Sequence, residues 1–175
     1  MRRAIFVLAF CLLGSSAVFA AGPSPSQTAA SDFVQKFYDW YVPIAHKPGN
    51  APSSDQAVAK RGAAFDPPLL RALKIDAEAQ RKSPDDIVGL DFDPFLNAQD
   101  FDDKYVVGNV TENGGVYLVS VYGVRNGKRA AKPDVVAELK VVKGSFQFTN
   151  FRYGADGDLL GILKTLADER AHAPQ

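Results

Sequence analysis

Cysteine is almost absent from this chain: its 175 residues hold one, Cys11, together with one methionine, one tryptophan and two histidines. A lone thiol makes no internal disulfide and no cysteine-ligated metal site. His46 and His172 are too few for a histidine-rich zinc site, and neither stands beside a plausible nucleophile. An excess of one charge is also lacking, because 20 basic side chains meet 20 acidic ones. Nucleic-acid binding draws on a net basic face, so that class has no support here. No metal and no cofactor are expected from these counts and motifs.

What is present begins with "MRRAIFVLAFCLLGSSAVFA". Arg2 and Arg3 form a basic start, residues 5–13 an apolar run, and Val18-Phe19-Ala20 a small-residue cleavage context. This is the layout of a secretory signal peptide, with cleavage expected after Ala20 and a periplasmic or secreted product. The apolar run is shorter than the ~20 residues that span a bilayer. A lipid-attachment signal would need a small residue before the cysteine, and Phe10 stands there, so no stable membrane anchor is expected. An exported domain without disulfides rests on its own core, which 46% hydrophobic residues make feasible.

Residues 21–30, "AGPSPSQTAA", lack periodicity and read as a flexible tether before a single domain over 31–170. Ser31 is placed as the N-cap of a helix over 31–42 that Pro43 stops. At 100° per residue Phe33, Val34, Phe37, Tyr38, Trp40 and Tyr41 fall on one arc, with Gln35, Lys36 and Asp39 opposite. A short helix is expected over 55–61, and a stronger one where Asp66-Pro67-Pro68 supplies a cap and a proline-tolerant first turn. From residue 104 the period changes to that of strands. "KYVVGNV", "VYLVSVYGV" and residues 135–142 read as a meander, the second central because both its faces are apolar. "RNGK" is a hairpin signal. In "FQFTNFRY" the pairs Phe146/Phe148 and Phe151/Tyr153 have opposite parity, so a β-bulge is expected near Thr149 and Asn150. A last helix follows Asp158, and the tail "ERAHAPQ" is polar and expected to fray.

The stretch "GLDFDPFLNAQD", residues 89–100, lies in an acidic segment with aspartates at 85, 86, 91, 93, 100, 102 and 103. An EF-hand loop fails, since Phe95 and Leu96 stand where an oxygen ligand and a glycine are needed. A phosphotransferase with Asp-x-Asp after a strand needs a doubly wound parallel sheet, which a run of consecutive strands does not build. Asp91 and Asp93 as a hydrolase's carboxylate pair would need one strand face and a cleft. Several aspartates could together hold a cation. The reading that meets fewest objections makes Asp93 the cap of a short turn opened by Pro94, with Phe92, Phe95 and Leu96 turned inward.

"DFVQKFYDWYV", "GLDFDPFLNAQD" and "VVAELKVVKGSFQFTNFRY", in this order and followed by a leucine-rich helix, resemble domain of unknown function family 3828 over roughly residues 31–167. The resemblance implies an exported bacterial protein without an established activity. It also implies an α+β fold of the nuclear transport factor 2-like or cystatin-like kind, with N-terminal helices packed on a curved antiparallel meander of about four strands and a C-terminal helix. It brings no catalytic residues. The function expected is binding of a small molecule, peptide or envelope protein. The alternatives are a hydrolase using Asp91 and Asp93, or an immunity-type inhibitor of an envelope enzyme. Candidate ligand contacts are Tyr38, Trp40 and Tyr41 on the first helix, Asp91, Asp93, Gln99 and Asp100 in the central segment, and Asn150 and Tyr153 on the last strand.

Overall fold

The computed structural model describes residues 25–47, 49 and 51–172. The expected leader, its expected cleavage position and the first residues of the expected tether lie outside them. The first helix, α1 (Pro25–Ala45), starts six residues before Ser31 and runs two past Pro43. Both differences from the sequence reading have a physical cause. Proline is accommodated in a first turn, alanine has the highest helix propensity, and Ala30 is wholly buried, so tertiary contact rewards the extra turn. Pro43 falls in the last turn, where its missing N–H costs one bond and its ring is exposed.

Three more helices follow: α2 (Ser53–Arg61), α3 (Pro67–Lys82) and, at the end of the chain, α4 (Leu159–His172). Asp66 caps α3 as its position suggests, its Oδ1 accepting the Leu69 N–H at 3.0 Å. The tail does not fray at residue 169, because α4 continues to His172 and Arg170 is held by partners described below.

The strands are β1 (Lys104–Asn113), β2 (Val116–Arg125), β3 (Lys128–Arg129), β4 (Val135–Val142) and β5 (Ser145–Arg152). They form one antiparallel sheet in the order β1-β2-β4-β5, with the two-residue β3 paired to the end of β2. The sheet thus has five strands rather than about four. Asn126 and Gly127 both take positive φ, 52° and 75°, which is what a type I′ hairpin turn demands of Asn-Gly. On β5 the register slips by one residue opposite Glu138 and Leu139, so Thr149 is the extra residue of a bulge. That slip brings Phe148, Phe151 and Tyr153 to the buried side together.

The aromatic arc of α1 lies on the sheet. Val34, Phe37, Tyr38 and Tyr41 are buried, while Phe33 and Trp40 flank them half-buried. Phe37 sits at the centre, its ring 4.8 Å from that of Phe148, 5.6 Å from Phe95 and 5.9 Å from Phe65. Gln35 is not a solvated residue of the polar side. Its Oε1 accepts the Val107 N–H at 2.8 Å and its amide donates to the Tyr105 carbonyl at 3.1 Å, so it occupies the outer edge of β1. The other edge is closed too, because the Asp66 N–H donates to the Phe148 carbonyl at 2.9 Å. These contacts cover part of each edge, where an open strand could pair with another chain.

Candidate functional site

The Asp-Phe-Asp motif divides its two carboxylates. Asp91 is exposed, whereas Asp93 is 8% exposed at the head of a tight turn. Asp93 Oδ1 accepts the N–H groups of Phe95 at 3.0 Å and Leu96 at 3.1 Å, which is the cap the sequence suggests. Its Oδ2 accepts the Tyr41 hydroxyl at 2.5 Å and the Ser53 hydroxyl at 2.7 Å. Two further tyrosines hold the same turn by its carbonyls: Tyr38 donates to Phe95 O at 2.7 Å and Tyr153 to Pro94 O at 2.8 Å. Phe95 and Leu96 are wholly buried. Burial pushes the Asp93 carboxyl above its ordinary value, and the bonds from Tyr41, Ser53, Phe95 and Leu96 work against that rise. Burial, then the neighbouring Asp93, raises the Tyr41 hydroxyl far beyond its ordinary value, so it stays a donor.

Beside this turn, α2, α3 and residues 87–101 enclose a cleft of about 770 Å³. Its apolar walls come from Val58 on α2, Leu73 on α3, and Ile87, Leu90, Phe92 and Phe101 on the segment. The segment has no regular structure here, so polar side chains of α3 hold its backbone. Gln80 Oε1 accepts the N–H groups of Val88 at 3.0 Å and Gly89 at 3.1 Å, and its amide donates to the carbonyls of Ser83 and Asp86. Asp76, 4% exposed, accepts the Leu90 N–H at 2.9 Å and pairs with Arg170 of α4 at 2.7 Å. The same guanidinium nitrogen reaches the Val88 carbonyl at 2.6 Å. Residue 89 has to be glycine: a Cβ there would stand 2.9 Å from Asp76 Oδ2 and 3.2 Å from Gln80 Cβ. The cleft is therefore built by fixed partners rather than left by loose packing.

Five aspartate and arginine side chains line it: Asp55, Asp76, Asp91, Asp93 and Arg81. Asp76 and Asp93 are occupied as described. Among the described residues the carboxylates of Asp55 and Asp91 have no hydrogen-bond partner. Burial first, then Asp76, raises the Asp55 carboxyl above its ordinary value, with Arg81 acting in the opposite direction. Arg81 itself pairs with Glu78 one turn back on α3.

Of the nine residues singled out in the sequence, Asp91, Asp93 and Gln99 line the cleft. Gln99 donates to the Asp91 carbonyl at 3.0 Å and so holds the motif's two ends together. Tyr38, Tyr41 and Tyr153 stand behind the turn as its supports. Trp40 lies apart from the cleft, with the Arg61 guanidinium 4.6 Å from its ring centre. Asp100 pairs with Arg125 at 3.2 Å, alongside Asp102 at 2.6 Å. Arg125, at the end of β2, thus ties the acidic segment to the sheet. Asn150 staples β5 to α4: its amide donates to Asp158 at 2.8 Å, and its oxygen accepts the Leu160 N–H at 3.2 Å.

Sequence reasoning missed Asp55, Val58, Leu73, Gln80 and Ile87 as neighbours. One signal was available, because the apolar Ile87 directly follows two aspartates in a segment without apolar period; in the structure it is 78% exposed. Among the described residues no group of three or more histidine, cysteine, aspartate or glutamate side chains is gathered to hold a metal ion. No helix among them is long and apolar enough to cross a membrane. Compared with known protein families, curated proteins and solved structures, the chain matches none.

Proposed function

We propose that this chain is an exported binding protein of the cell envelope that takes a small molecule or short peptide into the cleft between α2, α3 and residues 87–101. The observation that carries this reading is the cleft itself. Its volume of about 770 Å³ lies within the range of small-molecule sites, and its walls combine apolar side chains with a few polar groups. The hydrogen bonds from Gln80, Asp76 and Arg170 supply the preformed wall that binding without large reorganisation requires. The leader sequence supports export. The resemblance to domain of unknown function family 3828 supports a nuclear transport factor 2-like or cystatin-like variant of the α+β architecture.

Binding is favoured over hydrolysis by the state of Asp93. Four donors fill its two oxygens, which leaves no lone pair placed to activate water or hold a substrate proton. Binding in the cleft is favoured over an acidic inhibitory surface because Asp100 and Asp102 are engaged by Arg125, and Asp103 accepts the Asn126 N–H at 2.7 Å. The test is amide-shift mapping by NMR with small aromatic and aliphatic probes. Shifts should concentrate at Val58, Leu90, Gln99 and Phe101, and Ala77→Leu, which narrows the cleft, should weaken them. Shifts confined to other surfaces would overturn the reading.

A further inference from the structure

Resting on the cleft as a binding site, we infer that its ligand is a protonated amine carried on an apolar body. The apolar walls of Val58, Leu73, Ile87, Leu90, Phe92 and Phe101 determine the body. Ile87 in particular is 78% exposed at this wall, and an apolar ligand would cover it.

The charge follows from which polar groups are still free. Asp93 is filled by two hydroxyls and two peptide N–H groups, and Asp76 by Arg170 and the Leu90 N–H. Asp55 and Asp91 remain without hydrogen-bond partners among the described residues. Among the described residues Arg81 is the one cation in the lining; it is paired with Glu78 and its side chain is 71% exposed. A ligand entering the cleft therefore meets two unpaired carboxylates and a third, Asp76, close enough to Asp55 to repel it.

Three ligand chemistries can be compared on that lining. An anion would add a like charge beside Asp55, which Asp76 already repels. A neutral apolar molecule would strip water from Asp55 without replacing its hydrogen bonds, which costs free energy. An ammonium group donates to Asp55 and Asp91 and offsets the repulsion of Asp55 by Asp76, while its hydrocarbon part lies against the walls. The third is the chemistry that the lining complements on both counts.

Phenethylamine, phenethyl alcohol and phenylacetate share one ring and differ in charge, so titrating the folded protein with each separates the terms. Phenethylamine should bind about threefold to fivefold more tightly than phenethyl alcohol, the scale of one partly exposed ion pair, and phenylacetate weakest of the three. Asp55→Asn combined with Asp91→Asn should bring the amine down to the alcohol, and continued shifts of the Val58 and Phe101 amides with the alcohol show that the variant keeps its cleft. Equal binding of amine and alcohol, or a preference for phenylacetate, would overturn the amine assignment and leave the cleft as a binding site. An amine preference that survives both substitutions would overturn it as well, because the charge is then read elsewhere. If none of the three shifts the cleft amides, the binding site and the ligand class fall together.

Discussion

Asp93 and Asp76 are both buried beside the same irregular segment, yet their charges are balanced in different ways. Asp93 meets no cation: its partners are the hydroxyls of Tyr41 and Ser53 and two N–H groups of its own turn. Asp76 meets the Arg170 guanidinium and one N–H, that of Leu90. The first arrangement is a cage of neutral dipoles and joins α1, α2 and the turn at one point. The second is an ion pair and ties α4 to α3 across the cleft wall. A dipole cage depends on several donors being held in place, so its strength comes from the packing around it. An ion pair depends on one partner, so removing either side leaves a charge behind.

The largest effect should come from the packing behind the cage. Tyr41 stacks on Phe37 with ring centres 5.4 Å apart. Phe37→Ala should cost about 3–5 kcal/mol in urea melts, as burial is lost and a cavity remains. It should also reduce the further cost of Asp93→Ala, since the two share Tyr41. Strictly additive losses would show that the cage stands without its packing.

Next comes the cage itself. Asp93→Ala strands the buried Tyr41 hydroxyl, the half-buried Ser53 hydroxyl and two N–H groups and should cost about 3 kcal/mol, whereas Asp93→Asn keeps an oxygen for the N–H groups and should cost about half as much. Equal losses in chemical denaturation would mean that charge rather than geometry matters at this position.

Breaking the ion pair should be somewhat milder. Asp76→Asn leaves Arg170 without its counter-charge at a side chain that is still 20% exposed, and should cost about 2 kcal/mol. Adding Arg170→Met should recover part of that loss, and a double variant worse than the sum would contradict a simple pair.

Acid titration sharpens the contrast between buried and surface caps. Asp93 is raised by burial, so the folded chain holds its proton more tightly than the unfolded one. Its contribution is full in acid and is lost as pH rises through the raised value. Asp158 is lowered, first by the Asn150 amide and then by the Gly161 N–H, so its contribution is present above its ordinary value and lost as pH falls. Between about pH 3 and 7 the stability difference from Asp93→Asn should therefore shrink as pH rises, and that from Asp158→Asn should grow. The smallest effect belongs to Asp91, exposed and two residues from Asp93: Asp91→Asn should move stability by no more than about 0.5 kcal/mol.

These contrasts mark where the sequence is legible. Asp66 and Asp93 as caps, the Asn126-Gly127 hairpin, the bulge at Thr149 and the aromatic arc of α1 are all visible in the chain. Each depends on neighbours within a few residues, or on a period of side chains that one buried surface must satisfy. Three of the cleft's residues were singled out only because they lie inside one conspicuous motif. Asp55, Leu73 and Gln80 carry no such mark, since nothing within several residues of them differs from an ordinary helix surface.

By itself the sequence determined the α+β order of elements, the central place of β2, the parity slip in β5 and a turn capped by Asp93. Local hydrogen bonds and hydrophobic period dictate such features, and both are written in short stretches of chain. Tertiary structure alone decided that Tyr41 and Ser53 close on Asp93 and that Gln35 covers the edge of β1. It alone decided that Arg170 reaches Asp76 across 94 positions, and that α2, α3 and residues 87–101 leave a cleft between them. The reason is physical. A polar side chain becomes a cage, a cap or a ligand contact according to which distant groups packing brings within about 3 Å, and no local pattern encodes that meeting.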